Sequence, residues 1–282
     1  MEIIKGVTNL KVYDNTLFHL EDIEKAYTTY LDKLLKSGLS PKTIGLLLQV
    51  LKNRELLNTQ QAEQENSFLI SIYQMSQRKN SIDTMVKYLH GKDRLTSKQF
   101  QELHKMTIEG TSDDIKENYP YRTDNEKWVG SYGTNGSRNI DYMPPDYNDI
   151  PELADYILEF LSNDSTNLFD NVFIKPFAAH ALIAYLQPFG NGNTRVARLL
   201  QHGYIWKESM EKYNLKLESP ALFLSENYLM TRQYYRALLK NIAVEKDNDA
   251  WNKWFNYNLN MVDEQLYKIT NDLDEYVRKN SK

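Results

Sequence analysis

The run from Phe173 to Arg198 constrains the fold more than any other part of the chain. Phe173-Ile-Lys-Pro-Phe-Ala-Ala-His-Ala-Leu-Ile-Ala-Tyr-Leu186 is apolar nearly all round, the pattern of a helix covered on most sides. Pro188 closes it, because a proline disfavours the α region at the residue before it. Phe189-Gly-Asn-Gly-Asn193 then has the composition of a tight loop with backbone in unusual φ/ψ. A helical pattern resumes at Thr194 and runs to Trp206, with Val196, Leu199 and Leu200 on one side and Asn193 or Thr194 as N-cap. The N–H groups of such a loop and first turn converge where the helix dipole favours an anion. Arg195 and Arg198, three apart, share a face and lean back over the loop. Residue spacing alone allows two readings: a phosphate cradle, or a plain αα-corner with two surface arginines.

Composition narrows the class. The chain of 282 residues holds 34 Lys+Arg against 38 Asp+Glu, a net charge of −4 that argues against nucleic-acid binding through a broadly basic face. With no Cys, disulfides, thiolate metal sites and Cys nucleophiles are excluded. No apolar run has membrane-spanning length and the first residues lack a signal-peptide core, so a cytoplasmic protein that stays off membranes is expected. The abundance of Asn, Lys and Tyr fits an AT-rich bacterial genome.

The remaining pattern is mostly helical. Residues 1–20 read as a short strand or extended arm. Ile23, Ala26, Tyr27, Tyr30, Leu31, Leu34 and Leu35 mark a helix that ends at Ser37-Gly38, and Ser40-Pro41 starts the next. Residues 68–90 read as a further helix. Thr96 and Gln99 open another with a capping-box pattern; it carries His104, read as structural. Trp128–Tyr132 and Asn139–Met143 flank Gly133-Thr-Asn-Gly136 and read as a β-hairpin. Pro151 sits in the first turn of a helix that continues to Leu161. Ser219–Ser225 and Tyr228–Leu239 read as further helical material, and a closing helix runs from Asp249 to about Val277.

Gln187-Pro-Phe-Gly-Asn-Gly-Asn-Thr-Arg-Val-Ala-Arg198 resembles the signature loop of the Fic (filamentation induced by cAMP) family, His-Pro-Phe-x-Asp/Glu-Gly-Asn-Gly-Arg-x-x-Arg. Pro188, Phe189, Gly192, Asn193, Arg195 and Arg198 agree with it. The resemblance covers residues 59–260 and is strongest over 172–200. It implies an all-α fold with one β-hairpin flap and an N-terminal helical extension. The implied organisation is an N-terminal helical region over 1–95, a Fic core over 96–210 and C-terminal helices over 211–282. It further implies transfer of AMP from ATP, with Mg²⁺, to a Ser, Thr or Tyr hydroxyl of a target protein docked by strand addition on the flap at 122–143. Phe189, Gly190, Gly192, Asn193, Thr194, Arg195, Arg198 and Tyr235 are the implied nucleotide-binding residues, with Gln187, Arg195 and Arg198 at the catalytic positions. Thr59-Gln-Gln-Ala-Glu63 resembles the family's inhibitory helix, whose glutamate, here Glu63, would face Arg198; a solvated polar helix face is the alternative.

Three departures touch the chemistry. Gln187 stands where the family has its catalytic His, and an amide cannot take a proton from a hydroxyl near neutral pH. Asn191 replaces the acidic Mg²⁺ ligand and offers a carbonyl oxygen without charge, a weak metal site. Thr194 replaces a glycine, which is costly if the position needs φ > 0. The expectation is therefore an adenylyltransferase relative with impaired catalysis. A nucleotide- or protein-binding pseudoenzyme and a different phosphoryl-type transferase are the alternatives, and assembly into a homo-oligomer is left open.

Overall fold

The computed structural model describes residues 2–61, 72–91, 94–162 and 171–280. Helices α1 (Glu2–Lys5), α2 (Asp14–Leu35), α3 (Pro41–Gln61) and α4 (Ile72–Leu89) are followed by α5 (Ser97–Ile108) and the hairpin β1 (Val129–Tyr132) and β2 (Arg138–Tyr142). Then come α6 (Ile150–Ser162), α7 (Ile174–Leu186), α8 (Asn193–Lys212), α9 (Ser225–Met230), α10 (Arg232–Glu245) and α11 (Asn248–Asn280). The fold is all-α apart from that hairpin among the described residues. None of the described helices is long and apolar enough to cross a membrane.

Helix α7 is the centre. Every residue from Ile174 to Leu186 except Tyr185 is buried, which the all-round apolar sequence requires. It packs against α6, α8, α10 and α11. Emptying one such position, Leu182→Ala, should cost about 2–5 kcal/mol.

The expected strand or arm at residues 1–20 is instead helical at both ends. Helix α2 begins at Asp14 and buries Thr16, Leu20, Ile23, Tyr27, Tyr30, Leu31 and Leu34, a stripe of threes and fours laid along α11. The extended link before it is held by α11: Lys11 N–H donates to Asn248 Oδ1 at 2.9 Å and Tyr13 N–H to Asn252 Oδ1 at 2.8 Å. Those acceptors lie more than 230 residues away, beyond the reach of a local pattern. Of the helical material expected after residue 218, the structure leaves 219–224 without helix.

At Thr96 the expected capping box forms, its hydroxyl accepting from Gln99 N–H while Gln99 Oε1 accepts from Thr96 N–H. The hairpin pairs Val129 with Tyr142, Ser131 with Asn139 and Tyr132 with Arg138, with a bulge at Val129/Gly130. A Cβ on Gly130 would stand 2.0 Å from Asn139 O, so the bulge needs glycine. A two-stranded ribbon is marginal alone. This one is tied down by Tyr142 Oη donating to Ala184 O at 2.8 Å and by Lys240 Nζ, 2.6 Å from Asp141 Oδ1.

Candidate functional site

The site forms where α7 breaks. Gln187 takes a left-handed conformation, φ 47 and ψ 57, rather than the extended one a following proline favours. Its side chain is folded inward. Nε2 donates to Ala184 O at 2.7 Å, and Oε1 accepts from Asn193 Nδ2 at 3.0 Å. Asn193 braces the loop a second time, accepting from Phe189 N–H and donating to Phe189 O, both at 2.9 Å.

Phe189 was expected among the nucleotide-binding residues, but it lies beneath the loop. It is fully buried, stacked on the His104 ring at 3.6 Å and edge-on to Phe100 at 5.3 Å. His104 Nε2–H donates to Asn191 O at 2.7 Å. Burial pushes the His104 pKa down to about 3, so the imidazole is neutral and serves as a strut. Gly190 also faces away from the cavity: a Cβ there would sit 2.1 Å from Asn118 Oδ1. Gly192 is held at φ +76 with Ile108 Cγ2 2.4 Å from where a Cβ would lie. It, and not Asn193 or Thr194, is the N-cap of α8, because the Asn193 side chain is already spent on the loop. Thr194 falls inside α8 and is not among the positive-φ residues, so its Cβ carries no backbone strain.

The two arginines part company. Arg195, expected over the phosphates, turns to the other side of α8 and pairs with Asp113, lining a small cavity of about 20 Å³ with Glu55, Thr59 and His202. Arg198 lines the main cavity and is buried; its Nε donates to Thr59 Oγ1 at 2.9 Å and its Nη2 to Thr59 O at 3.1 Å. The end of α3 therefore does rest on Arg198, while Glu63 lies outside the described residues. Behind Thr59, burial raises the Glu55 carboxyl to about 7, against the pull of Ser225 and Arg198.

The main cavity has a volume of about 360 Å³ and is walled by the loop and α8, by the hairpin and by α10. Gln187, Asn191, Gly192, Asn193, Thr194 and Arg198 form the first wall. Tyr235 contributes to the third, and its Oη lies 2.8 Å from His180 Nε2. Among the described residues cations outnumber anions: Lys127, Arg198, Arg232, Arg236 and Lys240 line it, with Asp141 as the one carboxylate. The start of α8 adds the positive end of its dipole.

Residues 94–205, from the capping turn of α5 through the hairpin and loop into α8, match the Fic/DOC family. They form a Fic domain. A Fic family protein from Desulfovibrio desulfuricans aligns with a TM-score of 0.65 over 93% of this chain and 76% of its own, at 14% identity. A Fic domain containing signaling protein from Bacteroides thetaiotaomicron gives 0.54 over 97% and 95%, also at 14% identity. Likeness at that identity shows the fold. Comparison with curated proteins finds no match.

The residues of this Fic domain do not suit the family's Mg²⁺. Asn191 Oδ1, the one ligand offered by the loop, lies 3.3 Å from Lys127 Nζ, and that ammonium also donates to Gly190 O. No cluster of three or more His, Cys, Asp or Glu suited to a metal occurs among the described residues. A protein ammonium thus contacts the side-chain oxygen that stands where the family pattern puts an acidic metal ligand.

Sequence reasoning missed several residues of the site. Arg122, buried, donates its Nε to Gln187 O at 2.9 Å and its Nη2 to Pro145 O, while its own N–H reaches Pro188 O at 2.9 Å; it ties both feet of the flap to the loop. Lys127 and Asp113 were missed because their partners are 63 to 82 positions away. Arg232, Arg236 and Lys240 recur every four residues, a signal that could have found them.

Proposed function

We propose that this Fic domain binds a nucleotide through its phosphates and transfers its adenylyl group poorly or not at all. The observation that carries this is Gln187, an amide on the cavity wall at the base position, which donates to Ala184 O and accepts from Asn193. In adenylyl transfer the target hydroxyl oxygen attacks the α-phosphorus, pyrophosphate leaves and the hydroxyl proton must be taken up. Among the described residues no histidine lines the cavity, and the one carboxylate that does, Asp141, is paired with Lys240. Burial raises Tyr142 and Tyr228 far above any useful range. General-base help, commonly worth about 10²–10⁴ in rate, is missing.

Anion binding is supported by different groups: Arg198, the start of α8 and Lys127, with Thr194 and Gly192 beside them. Tyr235, Leu239 and Ala184 offer apolar surface for a base. The exposed hairpin, with Tyr132 and Ile140 on its surface, suits a target segment docking edge-on. Titration calorimetry with ATP tests the reading. Binding that is the same with Mg²⁺ as with a chelator is expected, since Asn191 brings no charge and its Oδ1 already faces the Lys127 ammonium. Absence of binding at millimolar ATP would overturn it.

A further inference from the structure

We propose that Tyr235 selects the base of the nucleotide: its hydroxyl is held as a hydrogen-bond acceptor, so the preferred base carries an amino group, as adenine does at its 6-position, where others carry a carbonyl oxygen. This deepens the nucleotide-binding reading above and rests on it. Tyr235 lines the cavity beside Ala184, Leu239 and two further tyrosines, Tyr142 and Tyr228. A phenol can both donate and accept, so what it asks of a ligand depends on where its own proton goes.

The polarity of Tyr235 is inherited from a backbone carbonyl through a chain of buried side chains. Asn258 Nδ2 donates to Trp254 O at 2.8 Å, which leaves Asn258 Oδ1 as an acceptor. Tyr228 Oη gives its one proton to that oxygen at 2.5 Å, and therefore accepts from Gln201 Nε2 at 2.9 Å. The Gln201 amide so oriented turns Oε1 toward His180 Nδ1, 2.5 Å away, and that ring nitrogen must carry a hydrogen. His180 is wholly buried with Tyr228, Tyr235 and Trp254 packed around its ring, surroundings that favour the neutral form. Its Nε2 is then the lone pair that takes the Tyr235 proton at 2.8 Å.

With its proton committed, the Tyr235 oxygen can only accept. Turning the hydroxyl round to donate would strand the buried lone pair of His180, and an unmade buried hydrogen bond is costly. Tyr142 supplies no competing donor, since its proton goes to Ala184 O at 2.8 Å. A carbonyl oxygen on the base would meet oxygen lone pairs here, whereas an amino group would donate to them. Buried polar groups of fixed polarity discriminate in this way more sharply than apolar surface does.

The test compares ADP with inosine 5′-diphosphate, which has a carbonyl oxygen where adenine has its 6-amino group, by titration calorimetry on the full chain. Wild type should bind ADP at least about tenfold more tightly. In Tyr235→Phe, which removes the oxygen and keeps the ring, the two affinities should come within about twofold of each other, chiefly through loss of ADP affinity. Nitrogen-15 NMR of wild type reads the polarity of the chain with no substitution at all: at pH 7 His180 should carry its proton on Nδ1 and none on Nε2. Equal affinities in wild type, or tighter inosine diphosphate, would overturn the selection by Tyr235 and leave the nucleotide reading standing. Failure of both nucleotides to bind would overturn both. A preference for ADP that survives in Tyr235→Phe, or a protonated Nε2 on His180, would also overturn it.

Discussion

The two ends of the cavity wall differ in how far their polar groups are used up. At Gln187 the polar contacts hold the backbone: its amide, Asn193, Phe189 and Arg122 form a set of hydrogen bonds that secures a left-handed break in the chain. Along α10 the cations stand at the cavity, two of them exposed. A side chain committed to holding the backbone cannot also exchange protons with a ligand. A row of cations on a cavity wall can take charge from outside. The proposed function rests on that difference, with cations to hold an anion on one wall and an amide in place of an acid–base group on the other.

The comparison can be broken from either end. Arg198→Ala should have the largest effect, because it strands Thr59 and opens a hole beneath α8. We expect a loss of about 3 kcal/mol in urea denaturation and no nucleotide-induced rise in melting temperature. Arg198→Lys, which keeps the charge, should recover part of both. An Arg198→Ala protein that still shifts with ADP would move the phosphates to α10.

Gly192→Ala should cost about 2–3 kcal/mol, since its φ of +76 and the contact with Ile108 act together. Gly136→Ala in the hairpin turn has φ +77 but nothing within 4 Å, and should cost about 1 kcal/mol. Equal losses in thermal unfolding would mean that the loop gives way and is less rigid than described. Lys127→Met should weaken ADP roughly fivefold, about 1 kcal/mol, by calorimetry. Tighter binding would show that Lys127 blocks the site.

The smallest effect concerns pH. His104 and His202 titrate below their unfolded values, so their stabilisation is present near pH 7 and is lost as pH falls. Glu55 has the opposite sign: raised from 4.5 to about 7, it stabilises fully below 4.5 and loses that contribution as pH rises through 7. Removing it in Glu55→Gln should therefore steepen the rise of stability between pH 4.5 and 6.5 in urea titrations. Parallel profiles would remove Glu55 from the account.

What the sequence made legible was local. The break between α7 and α8, the capping box at Thr96 and the hairpin all follow from periodicity, turn residues and caps within a dozen positions. The same reasoning placed Gln187, Asn193 and Arg198 on the cavity. It misplaced Phe189, Gly190 and Arg195 because their surroundings come from distant segments: His104, Asn118 and Asp113. The N-cap at Gly192 was missed for a related reason, as the competing Asn193 side chain is claimed by Phe189 across the turn. Helix α2 was shortened because its first turn is set by α11.

The central claim is that the cavity holds nucleotide while Gln187 leaves it without a base. The most direct measurement is transfer of label from α-phosphorus-labelled ATP to protein in a cell lysate, comparing wild type with Gln187→His and with Gln187→His/Asn191→Asp. The account predicts no labelled protein with wild type and labelled protein once histidine is restored. Labelling by wild type at the level of Gln187→His would contradict it, and the proton acceptor would then have to be sought in the target itself.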